Sequence, residues 1–203
     1  YDFRYLHQKG KTMSAVMPTS GYLSEQDYLD GEKLAKERHE YIDGQVFAMA
    51  GASKRHNEIC LNLALLFRSG TKGNSCRVFS SDVKVRISKR KSYYYPDVVV
   101  GCSEDDDVDD YYLEQPCLIV EVTSKSTEWK DYNEKLLAYQ SIPSLKGYVV
   151  VAQEKPHVSH FYRDDDGEWW VDTFTEFDQI IELPCPKMSV SVADIYDGIV
   201  IDS

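Results

Sequence analysis

Apolar and polar positions alternate in ways that divide the chain into short, distinct segments. "SEQDYLDGEKLAKER" (24–38) has helical periodicity and opens at Ser24, a residue type suited to an N-cap. "HEYIDGQVFAMA" (39–50) predicts two short strands around Asp43-Gly44, the turn chemistry of a two-residue hairpin. In "SKRHNEICLNLALLFRSG" (53–70), Ile59, Leu63, Leu66 and Phe67 line one face of a helix. Ser53 is its N-cap and Gly70 its C-cap.

"CRVFSSDVKVRI" (76–87) then predicts a strand, followed by a basic turn and the strand "YYYPDVVV" (93–100). An acidic loop over 103–115 leads into the apolar run "CLIVEVT" (117–123). A helix over about 127–141, ended by Pro143, precedes "GYVVVAQ" (147–153), whose β-branched residues suit a central strand. "HVSHFYRDDDGEWWVDTF" (157–174) predicts a hairpin around Asp166-Gly167, and the remainder an edge strand and short tail.

A helix joining two apolar strands implies a parallel unit within a mixed sheet, with helices on both faces. The fold class is therefore α/β. Residues 1–18 read as a flexible tail containing two plausible starts, Met13 and Met17, and residues 19–203 as one domain.

Composition narrows the functional classes. The net charge of −11 argues against coating nucleic acid through bulk electrostatics. The charge is uneven, however: "SEDDDVDD" (103–110) and "RDDDGE" (163–168) are acidic, and "KVRISKRK" (84–91) is basic. No window approaches about 18 consecutive apolar residues, so a spanning helix is not expected. Cys60, Cys76, Cys102, Cys117 and Cys185 are odd in number and show no CxxC spacing. That pattern predicts reduced, core-filling thiols in a cytoplasmic protein and argues against a structural zinc site.

The chemistry concentrates in two acids on apolar strands. Asp97 follows Pro96 at the start of one strand, and Glu121 lies near the C-terminal end of another. On neighbouring strands they would converge at one end of the sheet. Close carboxylates repel unless a proton or cation lies between them. Oxygen donors of this kind suit Mg²⁺ or Mn²⁺. Either acid also fits a plainer role, facing solvent or capping a neighbouring helix.

Pro96-Asp97 followed by Glu121 at the end of an apolar strand resembles the PD-(D/E)xK nuclease superfamily. The ordered stretches "HEYIDGQVFAMAGASKRHNEI", "CRVFSSDVKVRI", "YYYPDVVV" and "PCLIVEVTSKSTEWKDYNEKLLAYQSIPSLKGYVVV" resemble, more narrowly, a bacterial restriction-endonuclease-like family. The likeness covers about residues 22–195. It implies a mixed sheet flanked by helices, with the N-terminal helix and hairpin as an extension. It also implies hydrolysis of DNA phosphodiesters with Mg²⁺ or Mn²⁺, and a homodimer where both strands are cut.

One departure from the superfamily pattern matters. Its lysine belongs two residues after the second acid, where this chain has Thr123. In the narrower family the lysine comes from the next helix, and Lys135 matches that position. Lys125 is a rival that keeps the face parity of Glu121, were the strand to continue that far. The resemblance assigns Asp97, Glu121 and Lys135 to catalysis, and Asp97, Glu121 and Asp82 to the metal. His56, on the inner helix face, and Glu40 are accessory candidates along with Thr123. Lys89, Arg90 and Lys91 are candidates for nucleic-acid contact. Two other readings stay open: an inactive nuclease-fold module that binds nucleic acid or protein, and a hydrolase of a smaller phosphate ester.

Overall fold

The computed structural model describes residues 22–103 and 109–201. The tail expected over residues 1–18 lies outside them, as does part of the acidic loop. The chain divides into two compact units, one ending at Gly51 and the other beginning at Ala52.

The described part of the first unit holds α1 (Glu25–Glu32), β1 (His39–Ile42) and β2 (Gln45–Ala48). Ser24 caps α1 by accepting the Asp27 N–H at 3.1 Å, as its position predicts. The helix ends well short of residue 38. Tyr28 is its buried residue; the ring stacks on Tyr41 at 4.9 Å, and the hydroxyl donates to the His39 carbonyl at 2.6 Å. The hairpin forms as expected, with Asp43 and Gly44 both at positive φ, 42° and 86°.

The second unit opens with α2 (Lys54–Gly70), capped by the Ser53 hydroxyl. The strands β3 (Arg77–Ser80), β4 (Lys84–Ile87), β5 (Ser92–Tyr94), β6 (Val98–Gly101), β7 (Tyr112–Leu113) and β8 (Pro116–Thr123) follow. A broken helix comes next: α3 (Glu128–Lys130), a π-helical turn over Asp131–Lys135, and α4 (Leu136–Tyr139). The chain continues through β9 (Gly147–Ala152), β10 (Val158–Arg163), β11 (Trp169–Phe174), β12 (Ile180–Pro184), β13 (Lys187–Ser191) and α5 (Val192–Ile195).

The main sheet has six strands in the order β11-β10-β9-β8-β6-β3. β8 and β9 run parallel, joined by the broken helix, and the other pairs are antiparallel. This is the mixed α/β architecture predicted. On one face, Ile59, Leu63 and Phe67 of α2 join a core with Val98, Val100 and Val120. Ile119, Glu121 and Thr123 of β8 face the other way, as the two-residue period requires beyond the irregular register at Pro116–Leu118.

Two predicted strands prove to be four. Residues 76–87 and 93–100 each break in the middle and change sheets. β3 and β6 belong to the six-stranded sheet, whereas β4 pairs with β5 and with β7 elsewhere. The first break is marked by Ser81 at φ 53°, a left-handed conformation no regular strand contains. The second falls at Tyr95-Pro96, where proline has no N–H to give a ladder. Asp82 and Asp97 stand at these two breaks. The breaks also touch, for the Ser81 N–H donates to the Asp97 carbonyl at 3.2 Å.

The expectation of reduced thiols is also corrected. Cys76 is bonded to Cys102 and Cys117 to Cys185, leaving Cys60 as the free cysteine. Sheet register causes this: Arg77 pairs with Gly101, so the residues just outside that pair, 76 and 102, are forced together. The predicted terminal edge strand is a hairpin of β12 and β13, and its turn carries Cys185 to Cys117. Among the described residues, no helix is long and apolar enough to cross a membrane.

Candidate active site

Register brings the two acids together. Val98 pairs with Val120 in the antiparallel β6–β8 ladder, so one step further places Asp97 opposite Glu121. Directly opposed positions in such a pair have Cβ atoms about 5 Å apart. The Asp97 carboxylate turns back onto the ladder, where its Oδ2 accepts the Val122 N–H at 2.7 Å. His56 Nε2 meets the same oxygen at 3.2 Å. Among the described residues, the hydrogen bonds of this carboxylate all fall on Oδ2.

His56 reaches this point because it lies on the inner face of α2, one turn before Cys60. Its Nδ1 is 3.5 Å from the Cys60 sulfur. Burial alone would lower the imidazole pKa, but the hydrogen bond and charge of Asp97 outweigh it, and the net shift is upward. Burial pushes the Cys60 thiol far up, with Asp97 and Glu121 adding to the effect, so it stays protonated.

Glu121 is 4% exposed, and its Oε1 has two partners from the broken helix. Lys135 Nζ lies 2.9 Å away, and the Tyr139 hydroxyl donates at 2.8 Å. Lys135 is itself 7% exposed and also sees Asp131 Oδ1 at 3.6 Å. Burying an ammonium this deep is costly unless carboxylates lie beside it, and here there are two. Burial raises the Asp131 pKa, while Lys135 and the hydroxyls of Thr123 and Thr127 pull it back. Thr123, where the superfamily lysine would stand, thus serves Asp131. Lys125 is exposed beyond the end of β8.

Asp97, Glu121, Lys135, His56 and Thr123 therefore gather around the ends of β6 and β8. Asp82 stands beside them through the backbone contact between the two breaks, with its side chain exposed. The tight donor group around Asp97 is His56, Cys60 and Asp97, mutually within 4.8 Å, and Asp82 is outside it. Lys89, Arg90 and Lys91 are exposed at the closed end of the β4–β5 hairpin, the end away from Asp82 and Asp97. Glu40 is buried on β1 of the N-terminal unit.

Sequence reasoning missed Asp131 and Tyr139 as parts of this cluster. A signal for Asp131 was present: it precedes Lys135 by four residues, the spacing that pairs an acid with a base on a helix. In the sequence Tyr139 reads only as an aromatic neighbour of Lys135. The π-helical turn left no readable trace, though such turns recur at functional sites.

The six-stranded mixed sheet, with β8 and β9 parallel across a crossover helix, is a restriction-endonuclease-like fold. Residues 25–193 match the family described as "Uma2: Putative restriction endonuclease", and the chain belongs to that family. It is similar to two Synechocystis sp. proteins. "Uncharacterized protein slr1290" is 36% identical over 92% of this chain and 99% of its own length. "Uncharacterized protein sll1609" is 34% identical over 76% of this chain and 88% of its own. The fold is similar to the crystal structure described as a "putative nuclease belonging to DUF820" from Anabaena variabilis. That likeness has a TM-score of 0.69 at 16% identity, covering 86% of this chain and 97% of the other.

Proposed function

We propose that the chain is a Mg²⁺- or Mn²⁺-dependent endonuclease that hydrolyses DNA phosphodiester bonds. The observation that carries this reading is the 2.9 Å pair between Lys135 and Glu121, opposite Asp97. It supplies the lysine that position 123 lacks. The donor set fits a hard cation, because Asp97 and Glu121 offer carboxylate oxygens from facing positions. When bound, such an ion polarises a phosphodiester and makes water a stronger nucleophile.

The chain's own groups do the rest. Asp97 and Glu121 would hold the ion, and Asp82 would contribute from the neighbouring strand break, which touches that of Asp97 through the Ser81 N–H. The Val122 N–H and His56 fix the orientation of Asp97, and Tyr139 fixes that of Glu121. Lys135 keeps a positive charge where the attacking water or the scissile phosphate must sit. Lys89, Arg90 and Lys91 bind phosphates away from the scissile bond, along a duplex that extends past the β4–β5 hairpin. Two copies of the chain would cut both strands.

Plasmid nicking and oligonucleotide cleavage by the purified chain test this. Cleavage should require Mg²⁺ or Mn²⁺ and disappear with EDTA or in Glu121→Ala. Activity that persists in Glu121→Ala would overturn the site. Inactivity on all DNA substrates with intact metal binding would favour a smaller phosphate ester, and loss of both would favour an inactive binding module.

A further inference from the structure

The strands that carry the acids at one end carry sulfurs at the other. Cys102 follows β6 and Cys117 is the second residue of β8. Cys76 precedes β3, and Cys185 lies in the turn between β12 and β13. The sulfurs of Cys102, Cys117 and Cys185, far apart in sequence, gather at one point, and Cys76 is tied to it through Cys102. Cys102 Sγ is bonded to Cys76, and it also lies 3.4 Å from Cys117 Sγ and 3.5 Å from Cys185 Sγ.

Two disulfides that only staple strands have no need to touch. Here Cys102 Sγ of one lies against both sulfurs of the other, so three ligand atoms lie mutually within 4.8 Å, and Cys76, bonded to Cys102, brings a fourth beside them. Zinc bonded to four thiolates at about 2.3 Å holds its sulfurs at the corners of a tetrahedron, about 3.8 Å apart. The unbonded contacts are within a few tenths of an ångström of that edge. The cluster also has a route to solvent. Cys76 lines an open cavity of about 480 Å³ together with Leu65, Arg68, Lys72 and Asn74. The two cations in that lining suit a site whose four thiolates and one divalent ion leave a net charge of −2.

We infer that Cys76, Cys102, Cys117 and Cys185, when reduced, form a tetrathiolate site for a thiophilic divalent cation, Zn²⁺ above all. Softness separates it from the carboxylate site: sulfur selects zinc, whereas carboxylate oxygen selects magnesium and manganese. Distance separates them as well, since Cys117 and Glu121 are four residues apart on β8, about 13 Å of extended chain. The ion would tie together β3, β6, β8 and the terminal hairpin. The chemistry balances with a dithiol as reductant. Each of two dithiol molecules gives two electrons and two protons to one disulfide and closes into its own cyclic disulfide. Four protein thiols result. Zinc then forms four bonds to sulfur and releases up to four protons.

The test is a Co²⁺ titration of the full-length chain, reduced with dithiothreitol, desalted without oxygen and shown by a denatured thiol count to carry all five thiols. The visible ligand-field bands of tetrahedral, sulfur-bound cobalt should appear, saturate at one Co²⁺ per chain and bleach when Zn²⁺ is added. Cys102→Ser should lose the bands; Cys60→Ser and Asp97→Ala should keep them. Zinc absorption spectroscopy on the reduced wild-type chain needs no variant and should show a shell of four sulfurs. Absence of the bands in a folded chain with five free thiols would overturn the inference. So would bands that vanish in Asp97→Ala but survive in Cys102→Ser, or a zinc shell of oxygen and nitrogen.

Discussion

Lys135 Nζ sits 2.9 Å from Glu121 Oε1, yet the two residues come from different elements, a π-helical turn and a central strand. Both are nearly buried, so each is the other's main compensation for lost hydration. Removing the lysine would take the ammonium from a buried carboxylate and leave it the Tyr139 hydroxyl. Lys135→Ala is expected to lower the unfolding free energy by about 3–5 kcal/mol, the usual cost of breaking a buried pair. Urea unfolding measures it. Cleavage by the folded fraction should fall at least about tenfold. Lys125→Ala, at an exposed position, should change neither; if Lys125→Ala is the damaging change instead, the lysine has been misplaced.

Asp97 predicts the metal dependence. Calorimetry with Mn²⁺ should detect binding to the wild-type chain and none to Asp97→Ala. His56→Ala should weaken binding without abolishing it, because it removes one of the two groups that orient Asp97. Losses of about 10–100-fold are usual for partners that orient a metal ligand. Full-strength binding in Asp97→Ala would disprove the assignment.

The basic turn predicts the salt dependence. Replacing Lys89, Arg90 and Lys91 together by alanine should weaken DNA binding. It should also flatten the slope of log K against log salt by about 0.9 for each phosphate that the variant no longer neutralises. Fluorescence anisotropy across a salt series reads this directly. An unchanged slope would remove the turn from the DNA surface.

His160 predicts an acid limb that owes nothing to the site. It is buried on β10 opposite Asp172, and among the described residues its Nε2 has no hydrogen-bond partner. Burial pushes its pKa down to about 4, and the charge of Asp172 only partly resists. The unfolded chain, near the ordinary value of about 6.5, takes up the proton first as pH falls. The contribution of neutral His160 is therefore complete above about pH 6.5 and is lost between there and about pH 4, on the order of 3 kcal/mol in all. Unfolding curves at several pH values should show this loss in the wild type and a flatter acid limb in His160→Gln.

Where local chemistry decides structure, the sequence could be read directly. Asp43-Gly44 predicts its hairpin because few residues tolerate two successive positive φ angles. The crossover from β8 to β9 follows from two apolar strands and the segment between them. Breaks that depend on tertiary pairing were not legible. Val78 and Val85 both look like strand residues, and nothing between them says that one joins the six-stranded sheet and the other does not. The cysteines were misread for the same reason, since Cys76 and Cys102 become neighbours only through the β3–β6 register. For the candidate site, family resemblance singled out Asp97, Glu121 and Lys135, which the structure brings near one another, whereas Asp131 was legible only as an acid four residues before Lys135.

The π-helical turn makes the site sensitive to length as well as to residue identity. A π-helical turn carries an extra residue relative to α-helix, so removing one residue would restore regular winding. Asn133 is exposed in that turn, and its side chain donates to the Trp129 carbonyl at 2.7 Å. Asn133→Ala should be almost silent. Deleting Asn133 would therefore be absorbed as regular α-helix, with Lys135 and Tyr139 kept close to their present places. Deleting a second residue would have no such slack: Lys135 and Tyr139 would turn by about 100° away from Glu121, and the chain would lose its charged cluster with each of those residues still present.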